Sequence, residues 1–329
     1  MNCVMVTGGA GYIGSHTVFE LIENGYDVVV VDNLSTGHRK AIHKAAKFYE
    51  GDIRDENFLN YVFKKEKIDS VMHFAAASLV GESMQNPIKY YDNNLFGTKV
   101  LVETMLQNNI HYIVFSSTAA VYGNPENLPI VETQNKKPTN CYGETKLAIE
   151  NMLYWIGIST NLKYVCLRYF NACGAHENGL IGEAHKIETH LIPIVLEVAV
   201  GKRPYVEIYG TDYDTKDKTA IRDYVHVKDL AKAHIFANLY LEKGGESEYF
   251  NLSNGQGFSV KEIIKTAEKV VDNKIAVCNK ERRQGDPAIL VASSLKAKEI
   301  LGWSPEYKDI EKIIETAYIW HKYNFERLF

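Results

Sequence analysis

The stretch TGGAGYIGSH, Thr7 to His16, follows the apolar run CVMV and opens the helix-like HTVFELIENG. No other feature restricts the fold of this chain as sharply. Gly9, Gly11 and Gly14 fit G-x-G-x-x-G, and Gly8 extends the pattern to G-x-x-G-x-x-G. Glycines between a strand and a helix allow a tight turn, close backbone approach to a pyrophosphate and close helix–strand packing. The helix N-terminus then offers free N–H groups to the anion. Alone, such a motif is often only a glycine-rich turn. Here the next strand, DVVVVD, ends in Asp32, at about the 20-residue distance that a dinucleotide fold requires. A carboxylate there hydrogen-bonds ribose hydroxyls and repels a 2′-phosphate, which favours NAD over NADP. Asp52, in GDIRD, either reaches the adenine edge or caps the following helix, and both readings stand.

Further β-branched runs follow: SVMHFAA from Ser70, YIVFSS from Tyr112 and KYVCLRYFN from Lys163. Amphipathic segments such as KVLVETMLQNN separate them. Strands alternating with helices predict an α/β fold, a doubly wound parallel sheet covered on both faces. Residues 1–174 are expected to form the dinucleotide-binding domain, completed by 224–255, where KDLAKAHIFANLYLEK and EYFNLS bring the alternation back. The loop GAHENGLIGEAHKIETH and the helices FSVKEIIKTAEKVV and DIEKIIETAYIWHKY assign 175–329 mainly to a smaller mixed α/β substrate-binding domain.

The 329 residues carry a formal net charge of only −4, which gives no global bias toward nucleic acid. Met1 leads directly into the first strand, and the longest apolar run, LIPIVLEVAV, is too short to span a bilayer. The five cysteines lack any C-x-x-C pair, so the expectation is reduced thiols in a cytoplasmic protein with no membrane partner. Cys141 reads as a bystander beside Tyr142. His176, His185 and His190 stand near glutamates, but their irregular spacing on a loop argues against a metal, and none is expected.

Chemistry is expected at PTNCYGETK. Tyr142 and Lys146 are four residues apart and share one helix face. The same spacing occurs at Tyr61/Lys65, Tyr224/Lys228 and Tyr318/Lys322, so spacing alone selects nothing. Only the Tyr142 pair follows a strand ending in hydroxyls, Ser116-Ser117-Thr118, downstream of the cofactor loop. Ligands gather at the carboxyl ends of such strands. A free phenol is a poor base at neutral pH, but a neighbouring ammonium and an oxidised nicotinamide both stabilise the phenolate. Thr118 would hydrogen-bond the substrate hydroxyl. This is chemistry for oxidising an alcohol.

Together TGGAGYIGSH, Asp32-Asn33, GDIRD, HFAA, YYDNN, FSSTAAVYG, YGETK and RYFN resemble the extended short-chain dehydrogenase/reductases. VGESMQNPIKYYDNN, RYFNACGAH, THLIPIVLEVAVG, IRDYVHVKDLA and RRQGDP narrow the likeness, over nearly the whole chain, to the UDP-glucose 4-epimerase family. That resemblance implies a Rossmann-type fold, tightly held NAD, and interconversion of UDP-galactose and UDP-glucose by transient oxidation at C4. Tyr142 would take the 4-hydroxyl proton with Thr118 in its path while hydride passes to the nicotinamide. The 4-keto sugar then turns and is reduced from its other face. Beside the glycines, Tyr12, Ile13, Asp32, Asn33, Asp52, Ile53, Phe74, Ala75, Asn93, Lys146 and Phe170 would line the NAD site. Asn171, His190, Leu191, Tyr209, Arg222, Arg283 and Asp286 would hold the UDP-sugar.

Arginine suits a diphosphate, though Arg222 also reads as an ion pair with Asp223, and Arg282 and Arg283 as a solvated face. Serine stands at Ser78 where some members carry a cofactor-contacting lysine. Leu290 stands where some carry a bulky tyrosine, which would leave room for UDP-N-acetylhexosamines. The family implies a homodimer through segments 88–108 and 142–157, although core burial would also explain the apolar KVLVETML. A 4,6-dehydratase needs an acid and a base after the threonine, where Ala119-Ala120 stand here. A non-catalytic NAD sensor would have no need of Thr118, Tyr142 and Lys146.

Overall fold

The computed structural model describes residues 3–283, 286–323 and 325–328. Gln284 and Gly285, inside RRQGDP, lie outside them. The strands of the first half are β1 Cys3–Thr7, β2 Asp27–Asp32, β3 Lys47–Glu50, β4 Ser70–His73, β5 Tyr112–Ser116 and β6 Lys163–Tyr169. Shorter ones follow: β7 Asn171–Cys173, β8 Val206–Tyr209, β9 Ile221–His226, β10 Glu248–Leu252, β11 Gly257–Ser259, β12 Val277–Lys280 and β13 Ile289–Leu290.

Seven strands form one parallel sheet in the order β10-β6-β5-β4-β1-β2-β3. The chain winds outward from β1 to β3, returns to β4, and winds outward the other way. The reversal between β1 and β4 is the topological switch point, where strand ends open a crevice. The inner strands β1, β2 and β5, buried on both faces, are almost wholly apolar and read as runs and not alternations, whereas the edge strand β3, KFYE, is partly exposed. Val4 and Val6 enter one core and Met5 the opposite one, as the two-residue period demands.

The helices of the first half are α1 Tyr12–Glu23, α2 Glu56–Lys65, α3 Val80–Gln85, α4 Pro87–Tyr90, α5 Gly97–Gln107 and α6 Cys141–Ser159. A π-helical turn, Tyr91–Phe96, joins α4 to α5. Then come α7 Leu191–Ala199, α8 Val227–Glu242, α9 Val260–Val271 and α10 Ile310–Tyr323. Val18 and Leu21 of α1 share the first core with Leu230 and Ala233 of α8. Leu59 of α2, Leu101 of α5 and Ile149 of α6 cover the other face. A third core unites α7, α9 and α10 with β8 and β9.

KYVCLRYFN does not run through as one strand. It breaks at Phe170, and Asn171–Cys173 leave the large sheet to pair with β9, Asn171 beside Tyr224. Likewise SVMHFAA stops pairing at His73, so that its FAA end lines the crevice. Both departures occur where the chain turns from building the sheet to building the site. No helix of the described residues is long and apolar enough to cross a membrane.

Candidate active site

A cleft of about 1010 Å³ opens over the carboxyl ends of the strands and continues toward β9 and β13. Its floor is the glycine turn. Gly8 has a positive φ of 74°, and a Cβ there would lie 2.6 Å from the Ala75 nitrogen across the switch point. A Cβ on Gly14 would lie 2.2 Å from the Gly8 carbonyl oxygen. Only glycine closes this turn tightly enough to leave a concave surface at the start of α1. Gly11, Tyr12 and Ile13 complete the lining there. The Tyr12 phenol turns away to donate to the Gly174 carbonyl at 2.6 Å.

Asp32, at the end of β2, accepts the N–H groups of Ala10 at 3.0 Å and Leu34 at 2.8 Å. Burial raises its carboxyl above the ordinary range, against those two bonds. A carboxylate offers about four lone-pair sites, so acceptor capacity remains for ribose hydroxyls. The glycine surface, the helix start and Asp32 fit a bound dinucleotide. Asn33, Ile53, Phe74, Ala75, Asn93 and Phe170 line the same cleft. Asp52 does not. Hydrogen bonds from Arg54 hold its carboxyl well below the usual range, and Asn33 donates to it at 2.9 Å. Nor does it cap α2, whose cap is Asp55, accepting the Phe58 N–H.

At the other wall, Asn140 caps α6 by accepting the Gly143 N–H at 2.8 Å. A Cβ on Gly143 would lie 2.7 Å from the Ala120 carbonyl oxygen, so glycine lets α6 sit directly against the turn after Thr118. That approach brings the Tyr142 side chain into one cleft with Thr118, whose hydroxyl accepts the Ala120 N–H at 3.1 Å. The Lys146 ammonium donates to the Ser116 carbonyl at 2.7 Å and lies 5.9 Å from the centre of the Tyr142 ring. Burial pushes the Tyr142 phenol up, opposed by the Thr118 hydroxyl, and pulls Lys146 down to about 7. Both charged forms are disfavoured here, so a phenolate needs a further positive charge nearby.

The other three pairs are elsewhere. Lys65 donates to Tyr61 at 3.0 Å on the exposed side of α2. Lys322 lies over the Tyr318 ring at the surface of α10. Tyr224 is buried in the third core, while Lys228 turns to Glu177 and Glu20.

Toward β9 the cleft is lined by Asn171, His190, Arg222, Arg283, Asp286 and Leu290. Arg222 pairs with Asp286, not with its sequence neighbour. Adjacent strand residues face opposite ways, and Asp223 points into the core. There the Ser253 hydroxyl and the Asn254 and Ala292 N–H groups donate to it, and burial pushes its carboxyl up to about 6. Leu290 lies beside Arg222 in register and packs near Phe170. Tyr209 stays out of the lining, but its ring carries the Arg283 guanidinium at 4.1 Å. Leu191 belongs to the third core. Arg282 turns outward to Asp212.

Sequence reasoning missed what stands beneath Tyr142 and Lys146. Glu150, one turn after Lys146, is fully buried and receives Arg168 of β6 at 2.6 and 2.9 Å and the Ser117 hydroxyl at 2.6 Å. Arg168 continues to the Tyr122 hydroxyl at 2.8 Å. The signal was visible: a glutamate inside LAIENML and an arginine inside the apolar run KYVCLRY. Two buried charges are tolerated only as partners.

The geometry agrees with what the chain is similar to. Residues 4–253 match the family model described as the NAD dependent epimerase/dehydratase family. A UDP-glucose 4-epimerase of Lacticaseibacillus casei is 56% identical over 97% of this chain and 96% of its own length. A crystal structure of a UDP-glucose 4-epimerase superimposes with a TM-score of 0.97 at 53% identity, covering 98% of both chains. The UDP-glucose 4-epimerase of Brucella ovis in complex with NAD gives 0.95 at 45% identity, over 97% of this chain and 98% of that one. With its glycine turn, Asp32 and the Thr118–Tyr142–Lys146 group in one cleft, the chain belongs to the NAD dependent epimerase/dehydratase family.

Proposed function

We propose that this protein is a UDP-glucose 4-epimerase, interconverting UDP-galactose and UDP-glucose with tightly held NAD. The observation that carries the reading is the placement of Tyr142, Thr118 and Lys146 in one cleft with a glycine cradle and two arginines. Bound NAD supplies the hydride acceptor and donor for C4 and, when oxidised, a positive charge. Tyr142 takes and returns the 4-hydroxyl proton, and Thr118 orients that hydroxyl. Lys146 favours the phenolate and holds the ribose side of the cofactor site. Gly8, Gly11, Tyr12, Ile13, Gly14, Asp32, Asn33, Ile53, Phe74, Ala75, Asn93 and Phe170 form the rest of that site, with Asp52 behind its rim.

Arg222 and Arg283 take the diphosphate, with Tyr209 bracing Arg283. Asn171 spends one amide hydrogen on the Asp223 carbonyl at 2.9 Å and keeps the other for a phosphate oxygen. Asp286 accepts from the uridine ribose, and His190 and Leu191 close that end. Neutral alanines after Thr118 leave no acid and base to expel water, which disfavours a dehydratase. The division into 1–174 completed by 224–255, and mainly 175–329 for the substrate, is supported by the third core, which gathers α7, α9 and α10 apart from the large sheet. Ile88, Tyr91 and Phe96 within 88–108, and Tyr154 and Trp155 within 142–157, are exposed apolar side chains that support a homodimer through these segments. Five free cysteines suit a cytoplasmic setting.

Purified protein incubated with UDP-galactose and no added cofactor should form UDP-glucose, read by NMR. Absence of conversion even with NAD present would overturn the assignment. Leu290 leaves space beside the sugar, so UDP-N-acetylgalactosamine should also react. Leu290→Tyr should abolish that activity and spare UDP-galactose; equal loss of both would exclude Leu290 as the selector.

A further inference from the structure

Glu183, His185, Glu188 and His190 are dispersed along an irregular loop, yet their side chains converge. One ligand-type atom from each lies within 4.8 Å of all the others. His190 Nδ1 is 2.8 Å from Glu183 Oε1 and 3.0 Å from Glu188 Oε1, while His185 Nδ1 is 3.2 Å from Glu183 Oε1 and 3.4 Å from Glu188 Oε2. Each ring nitrogen thus faces two carboxylates, although Nδ1 carries at most one hydrogen. Glu183 Oε1 is buried and makes no hydrogen bond, because neither close nitrogen approaches it with donor geometry. Both glutamates are buried.

We propose that these four side chains form a binding site for one divalent transition-metal ion, zinc by preference, in the wall of the cleft. Zinc bonds of about 2.0–2.2 Å to imidazole nitrogen and carboxylate oxygen, in a tetrahedron, put the ligand atoms roughly 3.3–3.6 Å apart. The spacings of His190 Nδ1 and His185 Nδ1 to Glu183 Oε1, 2.8 and 3.2 Å, and of His185 Nδ1 to Glu188 Oε2, 3.4 Å, lie near that, and the 4.8 Å bound on the whole group leaves a modest adjustment to reach it. Two carboxylates and two neutral imidazoles balance a dication, which would also give the unbonded Glu183 oxygen its partner. The surrounding backbone holds the ligands in place. The Thr189 and His190 N–H groups each donate to Glu188 Oε1 at 2.7 Å, which leaves Oε2 for the ion. Trp320 Nε1 donates to the Glu183 carbonyl at 2.8 Å, and His38 Nε2 contacts the Ala184 carbonyl at 2.7 Å, fixing the chain on both sides of His185. His176 is not part of the group; its Nε2 faces Glu23. An ion here would brace the loop that carries His190 into the cleft.

Full-length protein titrated with zinc against a chromophoric chelator should bind one equivalent. Cobalt(II) in its place should give the intense visible absorption of four-coordinate cobalt. Glu183→Gln and His185→Ala should each weaken zinc by at least about 100-fold, whereas His176→Ala should not change it. A weak six-coordinate cobalt spectrum in the unmutated protein would overturn the proposal without relying on any variant. So would zinc binding that survives both ligand substitutions, or no binding at all, in which case the group is an ion-pair cluster of two imidazoliums and two carboxylates.

Discussion

Two helices carry the same Tyr-x-x-x-Lys pattern and meet different fates. On α2, Lys65 donates directly to the Tyr61 hydroxyl, and Tyr61 is 54% exposed. On α6, Lys146 bonds a main-chain carbonyl, stands further from its tyrosine, and is 2% exposed. The better pair as a hydrogen bond is the one that lies outside the cleft. In water both Tyr61 and Lys65 have solvent to compete for them, and the pattern does no more than tie one turn of a surface helix. In the cleft, burial makes every nearby charge count, so whatever charge enters decides the protonation of Tyr142.

The largest expected effect separates the two pairs at once. Tyr142→Phe should lower kcat by about 10²–10⁴-fold, the usual range for a proton-transfer group, while Tyr61→Phe leaves it within about twofold in the same assay. Comparable losses from both would mean that the cleft is not where proton transfer occurs. Next comes the support beneath α6. Glu150→Gln leaves Arg168 buried without its counter-charge and should destabilise the fold by roughly 3–5 kcal/mol, read by chemical denaturation. Lys65→Gln, at a solvent-exposed site, should shift the same curve by less than about 1 kcal/mol.

The third contrast lies in pH. Burial holds Lys146 near 7 in the fold, against about 10.5 in the unfolded chain. Between those values the unfolded state binds more protons, so this residue's contribution to stability rises with pH from about 7 to about 10.5 and is at its least below 7. In protein stripped of NAD, Lys146→Met should therefore raise the Tm most at pH 6, and the gain should fade as the pH approaches 10. A gain independent of pH would sink the assignment. The smallest effect concerns the caps. Asn140→Ala and Asp55→Ala each remove one N-terminal acceptor and should each cost about 1 kcal/mol. Only the first should also reduce kcat, because only α6 ends against Thr118.

Most of the sheet was legible because its inner strands are buried on both faces, so that apolar runs mark them; the edge strand β3, KFYE, is not so marked. The glycine turn and Asp32 were legible because their roles depend on backbone geometry and on distance along the chain. The short strands β8, β9, β11, β12 and β13 escaped because they contain between two and six residues and take their pairing from distant segments. The expected contacts of Asp52, Tyr209 and Leu191 with the ligands do not follow from lining the cleft. Asp52 is taken by Arg54, Tyr209 by Arg283, and Leu191 by the third core. Each is a competition between side chains that no local pattern contains. The Arg222–Asp223 pair failed for a local reason, since strand neighbours point apart.

The sequence by itself determined the doubly wound sheet, the place of the glycine turn, and that a tyrosine and a lysine would share one face of a helix after the fifth strand. Hydrophobic period, glycine conformation and helical repeat are all properties of neighbouring residues. Only the tertiary structure decided how closely α6 packs on the turn after Thr118, that Arg222 answers Asp286, and that Glu150 meets Arg168. Those outcomes depend on distances through space between segments whose mutual approach is settled by packing, and packing is a property of the whole chain.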